Sequence, residues 1–344
     1  MKQNVTILDV AEMAGVSKST VSRYLNGGCV SAEKAEQVRR AIAATGFRSN
    51  FFAKRLKTKT SQLLGIVLPR MDSVSVGKLL AGVSRITEPA GYQSILLVSQ
   101  LDARKEAEAI KSLCQQGVDG ILVDSVAITD AHVQLAKDTA IPILCTGQRR
   151  VGLPCLKIDD FAAGRTMGAY LRQMGHRRAV FAGVTSADRA VGVERRQGFE
   201  AAFLEADGAR VDFIETGFDF LAAYNCAAAV CAKAPTVIVG ATDNIALGIL
   251  RYLHERAIRV PEAVSVTGFG GYDVGAVVYP ALTTIAFDYE LLGMKAAQYL
   301  LDRIAGRGAR LNPDLPACFV ERESVRALDG AVCQRSPVSY TNLL

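Results

Sequence analysis

The stretch VTILDVAEMAGVSKSTVSRYLN, at residues 5–26, constrains the fold more than any other part of the chain. Thr6 is followed three residues later by Asp9, a capping-box pattern that predicts the start of a helix. Gly15 is the residue type that most readily takes a left-handed turn conformation, and Ser17 can cap a second helix. Apolar residues fall at helical spacing on facing sides of these helices: Ile7, Val10, Ala11, Ala14, Val21, Tyr24 and Leu25. The pattern therefore predicts two short helices that pack together across a tight turn.

The outer face of the second helix is basic and rich in hydroxyl groups. Four residues share it at spacings i, i+1, i+4 and i+5: Lys18, Ser19, Ser22 and Arg23. Such a face suits phosphate oxygens and base edges in a DNA major groove. We interpret the stretch as a helix-turn-helix whose recognition helix spans residues 18–25. The alternative is a small helical hairpin whose polar face is only solvated.

The distribution of charge supports an interaction with a polyanion. The first 60 residues contain eleven Lys and Arg against four Asp and Glu, a net charge of +7. The whole chain carries +6, so the remaining 284 residues carry −1. This asymmetry is typical of a nucleic-acid-binding module attached to a nearly neutral domain.

Other compositional features narrow the class of protein. No apolar run approaches the roughly 18 residues that a transmembrane helix needs, and the N-terminus lacks the apolar block of a signal peptide. These features predict a cytoplasmic, nucleoid-associated location. None of the eight cysteines forms a C-x-x-C pair and the three histidines stand apart, so we expect no metal site, disulfide framework or cofactor. We interpret the cysteines mostly as small buried apolar residues.

Two segments follow the helical pair. A third helix is predicted from the cap at Ser31 to about residue 45, with Val38, Ala41 and Ile42 on its inner face. Residues 49–57 are basic, contain two adjacent phenylalanines, and are shorter than the roughly 12 to 15 residues that hold an isolated helix in water. This segment is either a plain linker or one that orders when it binds DNA or a partner copy.

From residue 63 onward, short apolar runs alternate with amphipathic stretches. Strands are predicted at 63–68, 94–99, 119–124, 141–146, 177–184, 210–215, 236–241 and 263–269. Helices are predicted at about 76–90, 103–116, 130–138, 161–174, 193–206, 221–233 and 243–257. Two successive series of this kind indicate two parallel-sheet lobes, with a ligand crevice at the carboxyl ends of the strands.

We therefore expect an α+β multidomain protein in three parts. Residues 1–60 form a helix-turn-helix head with a hinge, and residues 61–326 form a two-lobed α/β core that binds an effector and dimerises. Residues 327–344 lose periodicity and are expected to form a loose tail.

Several ordered motifs resemble the lactose-repressor (LacI) family of bacterial transcription regulators. They are the residue 5–26 stretch, FRSNFFAKRL, ATDNIALG, VPEAVSVTGF and PALTTI, and the resemblance covers about residues 4–325. It implies a DNA-binding head, a hinge and a core similar to periplasmic sugar-binding proteins. It also implies a homodimer, sometimes a tetramer, that binds a pseudo-palindromic operator as a repressor and is released by a sugar effector.

The resemblance assigns DNA contacts position by position. Lys18 and Ser19 match base-reading positions, and Arg23 matches one that contacts a base or a phosphate. The positions that contact the DNA backbone are Thr6, Ser17, Thr20, Ser22, Asn26 and Ser31. Asn50 and Leu56 match the hinge, where the leucine is the apolar wedge at the central minor-groove step. The hinge departs from the family at Ser49, where a proline is common, and at Lys54, where arginine or glutamine is frequent.

Within the family, LPRMDSVS at residues 68–75 is similar to the branch of trehalose operon repressors, whereas GFGGY at 268–272 is similar to repressors of sucrose-type operons. The first similarity implies that Arg70 grips the phosphate of trehalose 6-phosphate, as a bidentate guanidinium can. Asp72 and Ser73, in the same segment, are further candidate effector contacts. The alternative is that Arg70 is a surface residue paired with Asp72.

Four more positions are candidate effector contacts. Arg195, three residues before Gly198, matches an effector-binding arginine, and Gln148 is a further candidate. Asp243 lies at a strand-to-helix corner that carries a polar effector contact, although it could instead cap the following helix. Where many members have an aspartate this chain has Gly270, so either Tyr272 or Asp273 must replace that acceptor, or the ligand is a different one.

Two other classes of protein fit less well. An enzyme would need a nucleophile and a base at recognisable spacing, and the sequence shows no such pair. The stretch GFGG is also not a dinucleotide-binding fingerprint. A stand-alone sugar-binding protein would lack the first 60 residues and would carry a signal peptide.

Overall fold

The computed structural model describes residues 5–25, 28–47, 60–311, 314–315 and 317–328. The chain divides into two compact units, Met1–Ser61 and Gln62–Leu344. Asn26, Asn50 and Leu56, three of the expected DNA contacts, lie outside the described residues. None of the helices within the described ranges is both long and apolar enough to cross a membrane.

Among the residues that the structure describes, the first unit contains three helices: α1 Ile7–Met13, α2 Lys18–Leu25 and α3 Ala32–Thr45. The predicted capping box is confirmed: the Thr6 N–H donates to Asp9 Oδ2 at 2.6 Å, and the Asp9 N–H donates to Thr6 Oγ1 at 3.5 Å. Ser17 Oγ accepts the Thr20 N–H at 3.3 Å, which caps α2. Ser31 occupies the N-cap of α3, although its side chain makes no capping hydrogen bond.

The predicted inner faces of these helices form one small core. Val10, Val21 and Val38, one from each helix, are fully buried. Gly15 joins α1 to α2 with φ of 64°, a backbone conformation that favours glycine. The spacing of apolar residues in the sequence therefore specified the packing of this unit correctly.

The described part of the second unit contains two six-stranded sheets. The first lobe has the strand order β11-β5-β4-β3-β1-β2, all parallel: β1 Leu63–Leu68, β2 Gln93–Val98, β3 Gly120–Asp124, β4 Ile143–Thr146, β5 Cys155–Ile158 and β11 Asp314–Leu315. The second lobe has the order β12-β10-β9-β8-β6-β7: β6 Arg178–Gly183, β7 Arg210–Glu215, β8 Val237–Gly240, β9 Ser265–Gly270, β10 Thr283–Phe287 and β12 Ala317–Val320. Only the β10–β12 pair is antiparallel among those described.

Helices cover both sheets: α4 Val74–Thr87, α5 Ala103–Gln116, α6 Asp130–Asp138, α7 Asp160–Gln173, α8 Arg195–Phe203, α9 Phe220–Ala232, α10 Asp243–Glu255, α11 Val274–Val277 and α12 Tyr289–Ile304. A π-helix at Arg189–Glu194 leads directly into α8. All eight predicted strands and seven predicted helices are present, with shifts at their ends. Along β1, Ile66 and Leu68 pack on one side of the sheet and Val67 on the other, as expected for a parallel sheet buried on both faces.

The connection between the lobes was not predicted. The chain passes from β5 to α7 in the second lobe, returns after β10 to α12 in the first, and crosses again between β11 and β12. Helix α12 packs against α4 so closely that a Cβ atom at Gly82 would lie 2.0 Å from Glu290 O. A helix from the end of the chain therefore completes the first lobe.

Two further expectations need qualification. Beyond residue 326, Ala327 packs against the core and the Leu328 N–H donates to Met174 O at 2.8 Å, so the chain stays attached at these two residues.

The expectation that the cysteines are mostly buried holds for some of them only. Cys145 and Cys155 are buried, whereas Cys29 and Cys318 are exposed. Burial therefore explains only some of the cysteines.

Candidate functional site

Helix α2 presents the predicted polar face. Lys18, Ser19 and Arg23 are exposed, and Ser22 is half-buried. Arg23 Nε donates to Ser19 O at 3.4 Å, which places the guanidinium over the start of the helix. Charged and hydroxyl groups on an exposed helix face can contact phosphates and base edges.

Thr20 does not share this face. It is only 8% exposed, and its hydroxyl lies 2.9 Å from Ser17 Oγ. The Thr20 hydroxyl therefore contacts the Ser17 hydroxyl that caps α2, and the phosphate contact expected of Thr20 stays a prediction. Thr6 and Ser31 are exposed at the starts of α1 and α3.

In the second unit, a cleft of about 130 Å³ lies between the lobes at the carboxyl ends of the strands. The first lobe contributes residues that follow β1, β3 and β4, and the second contributes residues that follow β6, β8 and β9. The cleft contains four of the candidate effector residues: Arg70, Ser73, Arg195 and Tyr272.

Arg195 forms a buried ion pair on the floor of the cleft. Its Nε and Nη2 donate to Asp160 Oδ1 at 3.0 and 2.5 Å, and its Nη1 donates to Ala241 O. Arg195 and Asp160 are only 3% and 4% exposed. Desolvation opposes the charge of Arg195, but the charge and hydrogen bond of Asp160, together with Tyr289 and Tyr272, outweigh it, so that the pKa of Arg195 is raised.

Helix packing fixes this pair in place. Helices α7 and α8 touch through their backbones at two glycines: a Cβ atom at Gly164 would lie 2.1 Å from Arg195 O, and one at Gly198 would lie 2.0 Å from Phe161 O. Arg195 also lies over the rings of Phe269 and Phe287, with 5.1 and 4.9 Å from Cζ to the ring centroids. Sequence reasoning did not find Asp160, because its partner is 35 residues away.

Arg70 combines both of the expected arrangements. It lines the cleft, and it also forms a bidentate pair with Asp72, with Nε–Oδ1 at 2.6 Å and Nη2–Oδ2 at 2.9 Å. The hydrogen bonds from Arg70 lower the pKa of the Asp72 carboxyl. Asp72 is 72% exposed and lines a neighbouring cavity of about 570 Å³ rather than the cleft. Arg70 lines that cavity too, and its Cζ is 5.1 Å from the centroid of the Phe218 ring.

Two carboxylates that the sequence analysis did not identify line the cleft from opposite lobes. Asp124 ends β3 and accepts a hydrogen bond from Thr146 Oγ1 at 2.8 Å, and Asp188 accepts the Val191 N–H at 2.9 Å. Burial raises the pKa of each carboxyl to about 6. At neutral pH both are mainly ionised, and each can accept hydrogen bonds from ligand hydroxyls. Asp124 is the polar residue that ends the apolar run DGILVD, and this position at the end of a strand is the sequence signal that could have identified it.

The effector contacts expected of Gln148 and Asp243 need correction, because neither residue lines the cleft. Gln148 is buried, where its Oε1 accepts the Ile128 N–H and its Nε2 donates to Ser125 O, both at 3.1 Å. Asp243 is fully buried and accepts hydrogen bonds from Thr284 Oγ1 at 2.6 Å and the Tyr272 N–H at 2.7 Å.

The capping alternative for Asp243 is also wrong, since Thr242 is the N-cap of α10 and accepts the Ile245 N–H at 3.3 Å. Both corrected residues use their polar atoms within the protein. Gln148 joins two loops, and Asp243 joins α10 to β10 and to the loop after β9.

Tyr272 occupies the space that an aspartate at position 270 would need. Gly270 has φ of 140°, and a Cβ atom there would lie 2.7 Å from Tyr272 Cε1. Asp273, the other candidate replacement, is 89% exposed and pairs with Lys78 at 3.2 Å. Tyr272, and not Asp273, is therefore the residue that faces the cleft.

Ser73, another candidate that lines the cleft, precedes α4, and its Oγ lies 2.7 Å from Ser75 Oγ.

Comparisons with known proteins match both units. Residues 6–50 match the family of bacterial regulatory proteins, lacI family, and residues 169–325 match a periplasmic binding protein-like domain. The sucrose operon repressor of Staphylococcus xylosus is 34% identical over 296 residues, which cover 86% of this chain and 92% of that protein.

Solved structures agree with this match. The lac repressor dimer bound to operator and the anti-inducer ONPF superposes with a TM-score of 0.85 at 24% identity, covering 94% of this chain and 100% of the other, which indicates a shared fold. A complex of the transcriptional regulator CelR with cellobiose superposes with a TM-score of 0.67 at 27% identity, covering 93% and 99% of the two chains.

Proposed function

The chain belongs to the lacI family of bacterial regulatory proteins, which are DNA-binding regulators and not enzymes, and we propose that it represses a sugar-utilisation operon until a sugar or sugar phosphate binds in the cleft. The observation that carries this proposal is that both lobes supply polar groups that line the cleft. Asp124 comes from the first lobe, and Asp188 and Arg195 come from the second. A ligand with many hydroxyl groups can bridge such groups and hold the lobes in one arrangement.

Binding in the cleft would control DNA affinity through a shift between two arrangements of the lobes. A ligand moves such an equilibrium only to the extent that it binds one arrangement more tightly than the other. We propose that the protein acts as a homodimer, with one recognition helix in the major groove of each operator half-site. Contacts from basic residues to phosphates would make this binding dependent on salt concentration.

We favour trehalose 6-phosphate as the effector. The cleft volume of about 130 Å³ is small compared with the roughly 300–1,000 Å³ of ligand pockets in general. Arg70 lines both the cleft and the adjoining cavity, so a disaccharide that extends into that cavity would bring a 6-phosphate to Arg70. The phosphate could replace the exposed Asp72 carboxylate as the bidentate partner of the guanidinium.

A free disaccharide such as sucrose is the alternative effector. The carboxylates of Asp124 and Asp188 would not repel a neutral ligand, whereas they would disfavour a phosphate placed near them. The relative from Staphylococcus xylosus is named for the sucrose operon, and the CelR structure contains cellobiose. Both similarities support a disaccharide effector, but they do not distinguish a free disaccharide from a phosphorylated one.

A thermal-shift panel tests the proposal. The panel contains trehalose 6-phosphate, sucrose 6-phosphate, glucose 6-phosphate, trehalose and sucrose. A ligand that binds the folded protein raises the melting temperature in a saturable way. A response to a phosphorylated disaccharide alone supports the favoured effector, and a response to a free sugar supports the alternative. If no sugar raises the melting temperature or releases the protein from its operator, the proposed function is wrong.

Replacing Arg23 with alanine should weaken operator binding by about 1–3 kcal/mol and relax sequence discrimination, because the residue lies on the reading face of α2. Binding to operator and to scrambled DNA can be measured by fluorescence anisotropy. Arg40→Ala is the matched control, since it removes one exposed positive charge from α3 of the same unit. Equal losses in the two variants would contradict the assignment of the reading face.

Replacing Arg70 with alanine should leave operator affinity unchanged and abolish the response to a phosphorylated disaccharide. The reason is that Arg70 supplies the guanidinium at the junction of the cleft and the adjoining cavity. The measurement is release from operator as effector is added. Arg104→Ala is the control, because this exposed arginine pairs with Asp102 outside the cleft. An unchanged response in Arg70→Ala would make this arginine a surface residue only.

A further inference from the structure

Helix α5 carries a carboxylate on its buried face. Glu106 lies one helical turn before Ile110, and both side chains are fully buried. A buried carboxylate is costly unless hydrogen-bond donors surround it. Three donors do so here: the Ser125 hydroxyl at 2.7 Å, the Val126 N–H at 3.1 Å and His132 Nε2 at 3.1 Å. Glu106 therefore ties the loop after β3 to helix α6.

The hydrogen bonds of His132 fix the proton positions in this cluster. The Thr129 N–H can only donate, and it lies 3.2 Å from His132 Nδ1. In the neutral ring the proton is therefore on Nε2, which donates it to Glu106. An ionised carboxylate has no hydrogen to give, so the Ser125 hydroxyl donates to Glu106 as well.

This arrangement decides what the Ser125 hydroxyl can offer to a ligand. Ser125 lines the cleft, whereas Glu106 is fully buried and is not among the residues that line it. Because the hydroxyl hydrogen is used by Glu106, a ligand atom that reaches this oxygen must donate a hydrogen bond to it. The neighbouring Asp124 carboxylate also accepts, from Thr146 Oγ1 at 2.8 Å. This part of the first-lobe wall therefore presents two side-chain acceptors.

We propose that Glu106 is a positioning residue that acts through Ser125 to select a hydroxyl-bearing, uncharged part of the effector at this wall, a role that rests on the proposed function because it concerns how a sugar lies in the cleft. Sugar hydroxyls can donate to both Ser125 and Asp124. The oxygens of a phosphate dianion can only accept, so they have no hydrogen bond to make here.

Charge points in the same direction. Burial raises the pKa of Asp124 to about 6, and the charge of Glu106 adds to this increase. The same two negative charges disfavour a phosphate close to Asp124. Arg70 also lines the adjoining cavity of about 570 Å³, and the described lining of that cavity does not include Asp124 or Ser125. A phosphorylated disaccharide would therefore place its unphosphorylated ring at Ser125 and its phosphate at Arg70.

The test is a double-mutant cycle on Glu106 and Ser125. The probe is the sugar that gives the largest shift in the thermal-shift panel, trehalose 6-phosphate in the favoured case. Isothermal titration of the full chain measures affinity, and urea unfolding measures stability separately. Ser125→Ala should lower affinity by about fivefold, the usual value of one hydrogen bond. Glu106→Gln should lower it at least as much, because the glutamine amide can donate to Ser125 Oγ and release the hydroxyl hydrogen.

The combined variant shows whether the two residues act together. Glu106→Gln/Ser125→Ala should bind no more than about twofold more weakly than the weaker of the two single variants. If the two losses multiply to about 25-fold, Glu106 acts independently of Ser125 and the proposal is wrong. Unchanged affinity in Glu106→Gln overturns it too. Glu108→Gln is the matched control, since it neutralises an exposed carboxylate on the same helix and should bind as the wild type does.

Fluorinated derivatives of the same sugar decide the matter if Glu106→Gln does not fold. Fluorine replaces one hydroxyl at a time and cannot donate a hydrogen bond. At one position this replacement should lower affinity for the wild type but not for Ser125→Ala, and the proposal fails if no position behaves in this way. If no sugar in the panel binds, the proposed function fails as well. Binding without coupling between Glu106 and Ser125 rejects only the role of Glu106.

Discussion

Replacing Arg195 with methionine is expected to lower the free energy of unfolding by about 3–5 kcal/mol, the usual cost of breaking a buried ion pair by removing one partner. Methionine fills much of the volume but leaves the Asp160 carboxylate buried without its guanidinium. The Ala241 carbonyl loses a donor, and the rings of Phe269 and Phe287 lose the cation above them. Urea unfolding followed by circular dichroism measures the change.

The double variant Arg195→Met/Asp160→Asn separates the cost of an unpaired charge from the loss of packing. It should recover a substantial part of the stability that Arg195→Met loses, because a neutral amide is less costly to bury than a carboxylate. If the double variant is as unstable as the single one, the ion pair is not what stabilises this part of the cleft. Asp160→Asn alone keeps the guanidinium and shows whether the ligand response needs the charge of Asp160.

Replacing Gly82 with alanine is expected to lower the free energy of unfolding by about 3 kcal/mol or more, at the upper end of the range for added volume in a packed interior. The new Cβ atom would lie 2.0 Å from Glu290 O and 2.9 Å from Met294 N. The backbone of α12 cannot move aside as the end of a flexible side chain can. Helices α4 and α12 must therefore separate, which opens the first lobe on one side.

Gly77→Ala is the matched control for this variant. Gly77 lies in the same helix, but a Cβ atom there would meet no atom within 4 Å. The substitution should stabilise the protein by about 0.5–1 kcal/mol, because alanine restricts the unfolded chain and favours the helix. Opposite signs for the two substitutions would support the close contact between α4 and α12. Equal and small effects would contradict it.

Local features of the sequence were sufficient for the head and for most elements of the core. The capping box at Thr6, the turn at Gly15 and the apolar spacing of α1 to α3 depend on residues a few positions apart. The strand at 63–68 and the helix at 103–116 begin and end where their patterns predicted. The exposed positions on α2 followed from the same periodicity.

The residues that line the cleft were harder to predict from the sequence. Arg70, Arg195 and Tyr272 were found through a family resemblance, but Asp124 and Asp188 were not. Asp243 matched an effector position and Gln148 was a further candidate, yet both satisfy buried backbone and side-chain groups instead. A sequence shows which residues can form hydrogen bonds, and it does not show which of them face a cavity.

The sequence by itself determined the elements, their capping and the basic reading helix, because these depend on contacts between neighbours in the chain. Only the tertiary structure decided that the chain crosses three times between the lobes, that α12 completes the first lobe, and that Asp160 neutralises Arg195. Such pairings join residues 35 to more than 200 positions apart. Their energy comes from burial and close approach of backbones, which are properties of the assembled lobes and leave no periodic signal in the sequence.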